Sequence, residues 1–225
     1  MKGKLGKILE ENGNYLKVKE KVEECIGEIG KIEAGAKIAF SGANGGDVIG
    51  NAVSAGHGAT PSSKNSIVSL VKGIKAIVGV ILKDSEGNAE ATKIGDEDKK
   101  KVGNLFVGDN GKDEAKEGNI SKAAASIGTV SGADILKAIA KSKEDPKVDN
   151  AEGINAATDA AEIAVAPAKD DKKEIKKRPQ QKKDAVIAGG MALRGMAKGG
   201  KFAAKSNEEK SAHVVNVAVA SAVNK

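Results

Sequence analysis

Four aromatic side chains in 225 residues, Tyr15, Phe40, Phe106 and Phe202, with no tryptophan, set the terms on which this chain can fold. Aromatic rings normally dominate core burial, so Ala, Val, Ile and Leu must do that work here. Small side chains let helices approach closely but remove little area each. The expectation is a helical core of close-packed small residues, with glycine-rich connections that contribute little burial.

Hydrophobic periodicity supports that reading. Val18, Val22, Cys25, Ile26, Ile29 and Ile32 recur at steps of three and four, which predicts a helix over Tyr15 to Ile32. A broader stripe, Ile67, Leu70, Val71, Ile74, Ile77, Val78, Ile81 and Leu82, predicts a second helix over Asn65 to Leu82. Ile120 to Ile139 reads as one broken or two short helices. Within it Ser131-Gly132-Ala133-Asp134 has the form of a capping box. Ala151 to Ala166 is an alanine-rich helical candidate stopped by Pro167. Glu208 to Lys225 reads as a final helix despite the alternating Val215, Val217 and Val219.

Between these lie polar, Gly/Asn/Asp/Lys-rich stretches. Residues 41–65, 84–119 and 167–183 are expected to be loops or linkers, with Val102, Leu105 and Phe106 packing from inside the second. Residues 1–14 read as a weakly ordered leader, and 1–225 as a single helical domain.

The formal net charge is +6 and the pI near 9.1, but only Arg178 and Arg194 among the cations are arginine. Bidentate guanidinium contacts and aromatic stacking platforms, which nucleic-acid binders use, are nearly missing. The densest basic stretch, Lys172 to Lys183, leaves a cytoplasmic nucleic-acid-binding helical protein as the alternative reading. Cys25 is the sole cysteine, so no intramolecular disulfide can form; its apolar neighbours suggest a small buried hydrophobe. The start has no continuous apolar run of the kind a signal peptide needs, and no run of about 18 apolar residues occurs anywhere.

Motifs for chemistry are lacking. Gly195-Met196-Ala197-Lys198-Gly199-Gly200-Lys201 matches the phosphate-binding pattern GxxxxGK, yet Phe202 stands where a magnesium-binding hydroxyl is required. His57 and His213 are isolated, and Asp96-Glu97-Asp98 lacks the spacing of a calcium loop. No nucleophile-base set has local support. The sequence points to no enzyme, no cofactor, no metal and no small-molecule substrate.

The most distinctive segment is Lys182-Lys183-Asp184-Ala185-Val186-Ile187-Ala188-Gly189-Gly190-Met191-Ala192-Leu193-Arg194-Gly195-Met196-Ala197-Lys198, continuing through Gly199-Gly200-Lys201-Phe202. Together with Leu70–Val78, Gly103-Asn104-Leu105-Phe106, Ser131–Ile139 and the ending Ala220–Lys225, it resembles the variable large protein and VlsE-type variable major surface lipoproteins of borreliae. That resemblance implies an all-α, elongated helical bundle with long variable loops, displayed on the cell outer membrane, lipid-anchored and exposed to host antibodies. It implies a role in antigenic variation and immune evasion, and leaves room for a homo-oligomer. It also implies that Lys182, Lys183, Asp184, Leu193, Arg194, Gly195, Met196, Ala197, Lys198, Lys201 and Phe202 belong to the family's immunogenic segment, buried beneath the variable loops. Cys25, after Val22-Glu23-Glu24, is not a lipobox cysteine, so anchoring would need a signal and lipobox upstream. The family's C-terminal helical extension has no counterpart here, and the expectation is therefore a surface antigen or a truncated or silent copy of one.

Overall fold

The computed structural model describes residues 1–43, 46, 50, 52–175 and 183–225. It is all-α. Among the described residues nine α-helices run in the order α1 (Lys2–Asn12), α2 (Leu16–Gly42), α3 (Lys64–Ile81), α4 (Asp96–Val102), α5 (Glu117–Gly128), α6 (Gly132–Ala140), α7 (Ala160–Val165), α8 (Asp184–Met196) and α9 (Glu209–Asn224). Short 3-10 turns cover Gly103–Phe106, Asp109–Glu114 and Gly153–Ala156. The described residues form no strand, only isolated antiparallel bridges at Ala43–Ala197, His57–Ala204 and Thr60–Lys201. No single described helix is long and apolar enough to cross a membrane.

α2 and α3 form an antiparallel pair held at backbone distance by small residues. A Cβ added to Gly73 would lie 2.4 Å from Gly35 O and from Ala39 N; one added to Gly42 would lie 2.3 Å from Ser66 O. Spacing of Gly35, Ala39 and Gly42 by four and three puts all three on one face, so the two helices touch without large side chains between them. This is how a chain poor in aromatics closes a core. Ile67, Leu70, Val71 and Val78 of α3 are buried, in line with the stripe predicted there.

Around α8, helices α3, α5, α6, α7 and α9 pack on different sides. The resulting core is aliphatic and alanine-rich, with Phe106 and Phe202 as its only buried rings among the described residues. The capping box is realised: Asp134 N–H donates to Ser131 Oγ, and Ser131 N–H to Asp134 Oδ2. Asp134 also accepts from Asn88 N–H at 2.6 Å, which ties the loop after α3 to the start of α6.

Several local expectations need correction. The helix predicted to end at Ile32 runs on to Gly42, because Gly35 and Gly42 are tolerated where α3 lies against them. Residues 1–14, read as a weakly ordered leader, contain α1, antiparallel to α2 and joined to it by Lys2–Glu33 at 2.7 Å. Segment 84–119 is not plain loop: it holds α4 and two 3-10 turns, and Val102, Leu105 and Phe106 anchor it in the core. The alanine-rich candidate 151–166 contains only six α-helical residues. Gly153 adopts a left-handed φ of 52° and Asp159 caps α7 from outside, breaking the run. Cys25 is half-buried rather than buried.

Candidate functional site: the buried helix α8 and its polar anchors

No described group of three His, Cys, Asp or Glu side chains converges as a metal site. His57 is held by its own loop, with Nδ1 2.9 Å from Gly58 O and Nε2 accepting from Val53 N–H at 3.3 Å. The unusual chemistry of this chain lies inside, along α8.

Every residue from Asp184 to Arg194 is buried. Apolar content on all sides marks a helix without a solvent face. Its glycines set the approach of neighbours: a Cβ on Gly190 would stand 2.4 Å from Ile163 Cγ2, and one on Gly189 3.1 Å from Ala160 Cβ. α7 therefore rests on the glycine pair.

Each end of α8 carries a buried ionisable side chain. At the N-terminus, Asp184 Oδ2 accepts from Lys93 N–H (2.5 Å) and Ile94 N–H (3.0 Å), while Oδ1 accepts from Ser126 Oγ at 2.6 Å. Lys99 Nζ, itself 3% exposed, lies 4.0 Å from Oδ1 and donates to Thr92 Oγ1. A carboxylate in the first turn also complements the helix dipole. Asp184 thus fastens the loop 92–94, α4 and α5 to one helix end.

At the C-terminus, Arg194 is fully buried and faces carbonyls instead of a carboxylate. Nε donates to Lys201 O at 3.1 Å; Nη1 donates to Ala166 O at 3.2 Å and Ile163 O at 3.5 Å. Those two acceptors end α7, where the dipole is negative. The guanidinium carbon lies 4.9 Å from the Phe106 ring centre and 5.7 Å from that of Phe202, and the rings meet edge to face at 5.6 Å. Nη2 has no hydrogen-bond partner among the described residues. Burial pulls the Arg194 pKa down to about 9, which still leaves it charged at neutral pH.

The other residues of the segment serve this arrangement in different ways. Lys183 caps α8 through its backbone, and its Nζ lies 3.9 Å from Glu90. Leu193 is fully buried, and its carbonyl accepts from Ala197 N–H at 3.0 Å. Gly195 and Met196 are half-buried; Ala197 is buried and bridges Ala43. Lys198 and Lys201 are exposed but act through backbone: Lys198 O accepts from Ser63 N–H, and Lys201 exchanges both bonds with Thr60. Phe202 is buried. Lys182 lies outside the described residues, as do 176–181 of the basic linker. Of the described linker lysines, Lys172 pairs with Asp171, Lys173 with Glu114 and Lys183 with Glu90.

The GxxxxGK pattern falls at the wrong end of a helix for phosphate. It begins in the last turn of α8 and runs past its C-terminus, where carbonyls rather than amides point outward. Gly199 takes a left-handed φ of 79°, and a Cβ on Gly200 would stand 2.2 Å from Arg194 O. These glycines fold the chain back so that Lys201 O reaches the guanidinium.

A family model described as Borrelia lipoprotein matches residues 1–225. The chain belongs to that family. Among relatives of this member is Variable large protein 4 of Borrelia hermsii, 57% identical over 226 residues, covering 100% of this chain and 63% of that protein. Variable large protein 17 of Borrelia hermsii is 54% identical over 225 residues, covering 100% of this chain and 62% of its own length. The chain thus spans less than two thirds of the length of both. The crystal structure of the Lyme disease variable surface antigen VlsE of Borrelia burgdorferi superposes with a TM-score of 0.74 at 30% identity, covering 100% of this chain and 75% of the other. The family resemblance read from the sequence holds, and so does the all-α fold.

Sequence reasoning located the α8 segment but missed Glu162, 2% exposed on α7, which accepts from Lys143 Nζ (2.8 Å), Thr158 N–H (2.8 Å) and Thr158 Oγ1 (2.6 Å). The one available signal was Asp159 three residues before it, an N-cap spacing whose side chain accepts from Glu162 N–H.

Proposed function

We propose that this chain is an outer-surface variable antigen of the antigenic-variation type, or a silent copy that supplies sequence to one. Its partners in that role are host antibodies, and a lipid anchor of the family's kind would hold it at the outer membrane. The role requires no catalysis and no small-molecule substrate.

The observation that carries this reading is the separation of two layers. α8 and the ends of its neighbours are buried to the last side chain from Asp184 to Arg194. The polar stretches 83–88, 95–97, 112–114, 116–118 and 143–151 lie largely on the surface. Surface substitutions remote from packing and buried hydrogen bonds usually change stability by less than about 0.5 kcal/mol. A scaffold built this way lets its exposed loops change while the fold persists, which is the physical requirement for antigenic disguise.

Proteinase K treatment of intact cells, followed by an antibody against residues 84–119, tests it. Loss of signal with a periplasmic control intact is the expected result. Complete protection of a product present in lysed cells would sink surface display, and no signal even in lysate would leave only the silent-copy form. An antibody raised against the peptide 184–194 should bind the denatured chain and fail on the folded one.

A further inference from the structure

The α1–α2 hairpin leaves an apolar seam half covered. Leu5 and Leu9 of α1 and Val22, Cys25, Ile26, Ile29 and Ile32 of α2 are all only half-buried; Ile8, Leu16 and Val18 are exposed. On α2, only Gly35 and Gly42 are buried. Among the described residues, the first half of this 27-residue helix therefore has α1 beside it and little else. Two helices can cover only one flank of each other's stripe. Val18, Val22, Cys25, Ile29 and Ile32, spaced by four, three, four and three, form a seam of the coiled-coil kind with a second flank still open.

The charges on that seam indicate what covers it. α1 lies on the side of Gly30 and Glu33, which Lys2 touches. The opposite flank carries Lys21 and Glu28, seven residues apart and both exposed, with Cys25 between them. Lys21 has an ion pair with Glu24, but both groups stand in solvent, where such a pair is worth little. If a second copy packs here antiparallel about a two-fold axis beside Cys25, Lys21 of each copy meets Glu28 of the other. A parallel pairing would turn this flank towards the other flank of the partner, bringing Glu28 to Glu33 and leaving Lys21 beside Ile26. Bulk charge is no obstacle either: residues 2–33 hold seven lysines and seven glutamates, so the net +6 of the chain lies wholly elsewhere.

We infer that the α1–α2 hairpin is a self-association site. Two copies of the chain pair through it as an antiparallel four-helix bundle centred on Cys25, leaving the α8-centred body of each copy free. This does not rest on the antigenic reading, and either can fail without the other.

Sedimentation of the 1–225 chain at tens of micromolar tests the inference, together with a bismaleimide that links thiols. Cys25 is the only thiol, so any cross-linked dimer joins the two seams directly. A dimer that cross-links is expected. V18K alters a side chain already exposed in the protomer, so it should weaken dimerisation at least tenfold with helicity unchanged. K21E should weaken it too, and K21E/E28K should restore it. A chain that stays monomeric overturns the inference, whether or not it binds anionic vesicles through the same hairpin. A dimer indifferent to V18K, or one that the double charge exchange does not rescue, overturns it as well.

Discussion

α2 and α8 are both glycine-containing helices with substantial apolar content, yet they end in opposite environments. α2 carries the cleaner amphipathic pattern, with Lys and Glu between its apolar steps, and its first half remains half-exposed beside α1. α8 carries almost no polar pattern and is buried along its length, its only charged side chains, Asp184 and Arg194, placed at the two ends. The difference lies in the number of neighbours. Glycines on α8 admit α7 to contact distance, whereas Gly27 on α2 faces open space and brings no partner. Small residues make a core only where other helices converge on them.

The sharpest way to break this contrast is to unfasten α8. Asp184→Ala removes the acceptor of two backbone N–H groups and Ser126, and leaves Lys99 buried without its carboxylate. We expect a loss of about 3–5 kcal/mol in a urea unfolding curve, the scale of breaking a buried pair. Asp184→Asn, which keeps a hydrogen-bond acceptor, should lose less. Next in size is Gly190→Val, whose Cβ must displace Ile163. Overpacking of this kind costs about 1–3 kcal/mol, and the same change at Gly27, with nothing within 4 Å, should cost less.

A third prediction concerns pH. Burial opposes ionisation of Glu162, but hydrogen bonds from Lys143 and Thr158 outweigh it and hold the pKa below the ordinary 4.5. Its stabilising contribution is therefore complete above 4.5 and is lost as pH falls through the lowered folded value. Asp159, beside it, is shifted the other way: burial raises its pKa above 3.8, so its protonated form favours the fold and its contribution fades as pH rises. Glu162→Gln should flatten the acid limb of a stability-pH curve, and Asp159→Asn should steepen it. The smallest effect is expected at the hairpin: Cys25→Ser, at a half-buried site, should lower stability of the α8-centred body by less than about 1 kcal/mol.

Much of the scaffold could be read from residues alone. α3 followed from its eight-residue stripe, and the Ser131–Asp134 cap from four adjacent residues, because both depend on neighbours in sequence. The role of Asp184 could not be read so. Its amide donors, Lys93 and Ile94, lie about 90 residues earlier in a polar stretch that composition alone marks as loop. Arg194 hid for a related reason. Its partners are backbone carbonyls of Ile163, Ala166 and Lys201, and carbonyls leave no trace in side-chain identity. The brevity of α7 came from a left-handed Gly153 and an Asp159 cap inside an alanine-rich run, where propensity favoured a longer helix.

The central claim is that α8 is the concealed axis of the molecule while the polar loops and the hairpin lie outside its cooperative core. Native-state amide hydrogen exchange tests it most directly. The account predicts that amides of residues 188–194 exchange only through global unfolding, that those of 16–30 exchange through smaller openings, and that exposed residues of 83–88 and 143–151 exchange fastest. Exchange in α8 as rapid as in those loops would contradict it.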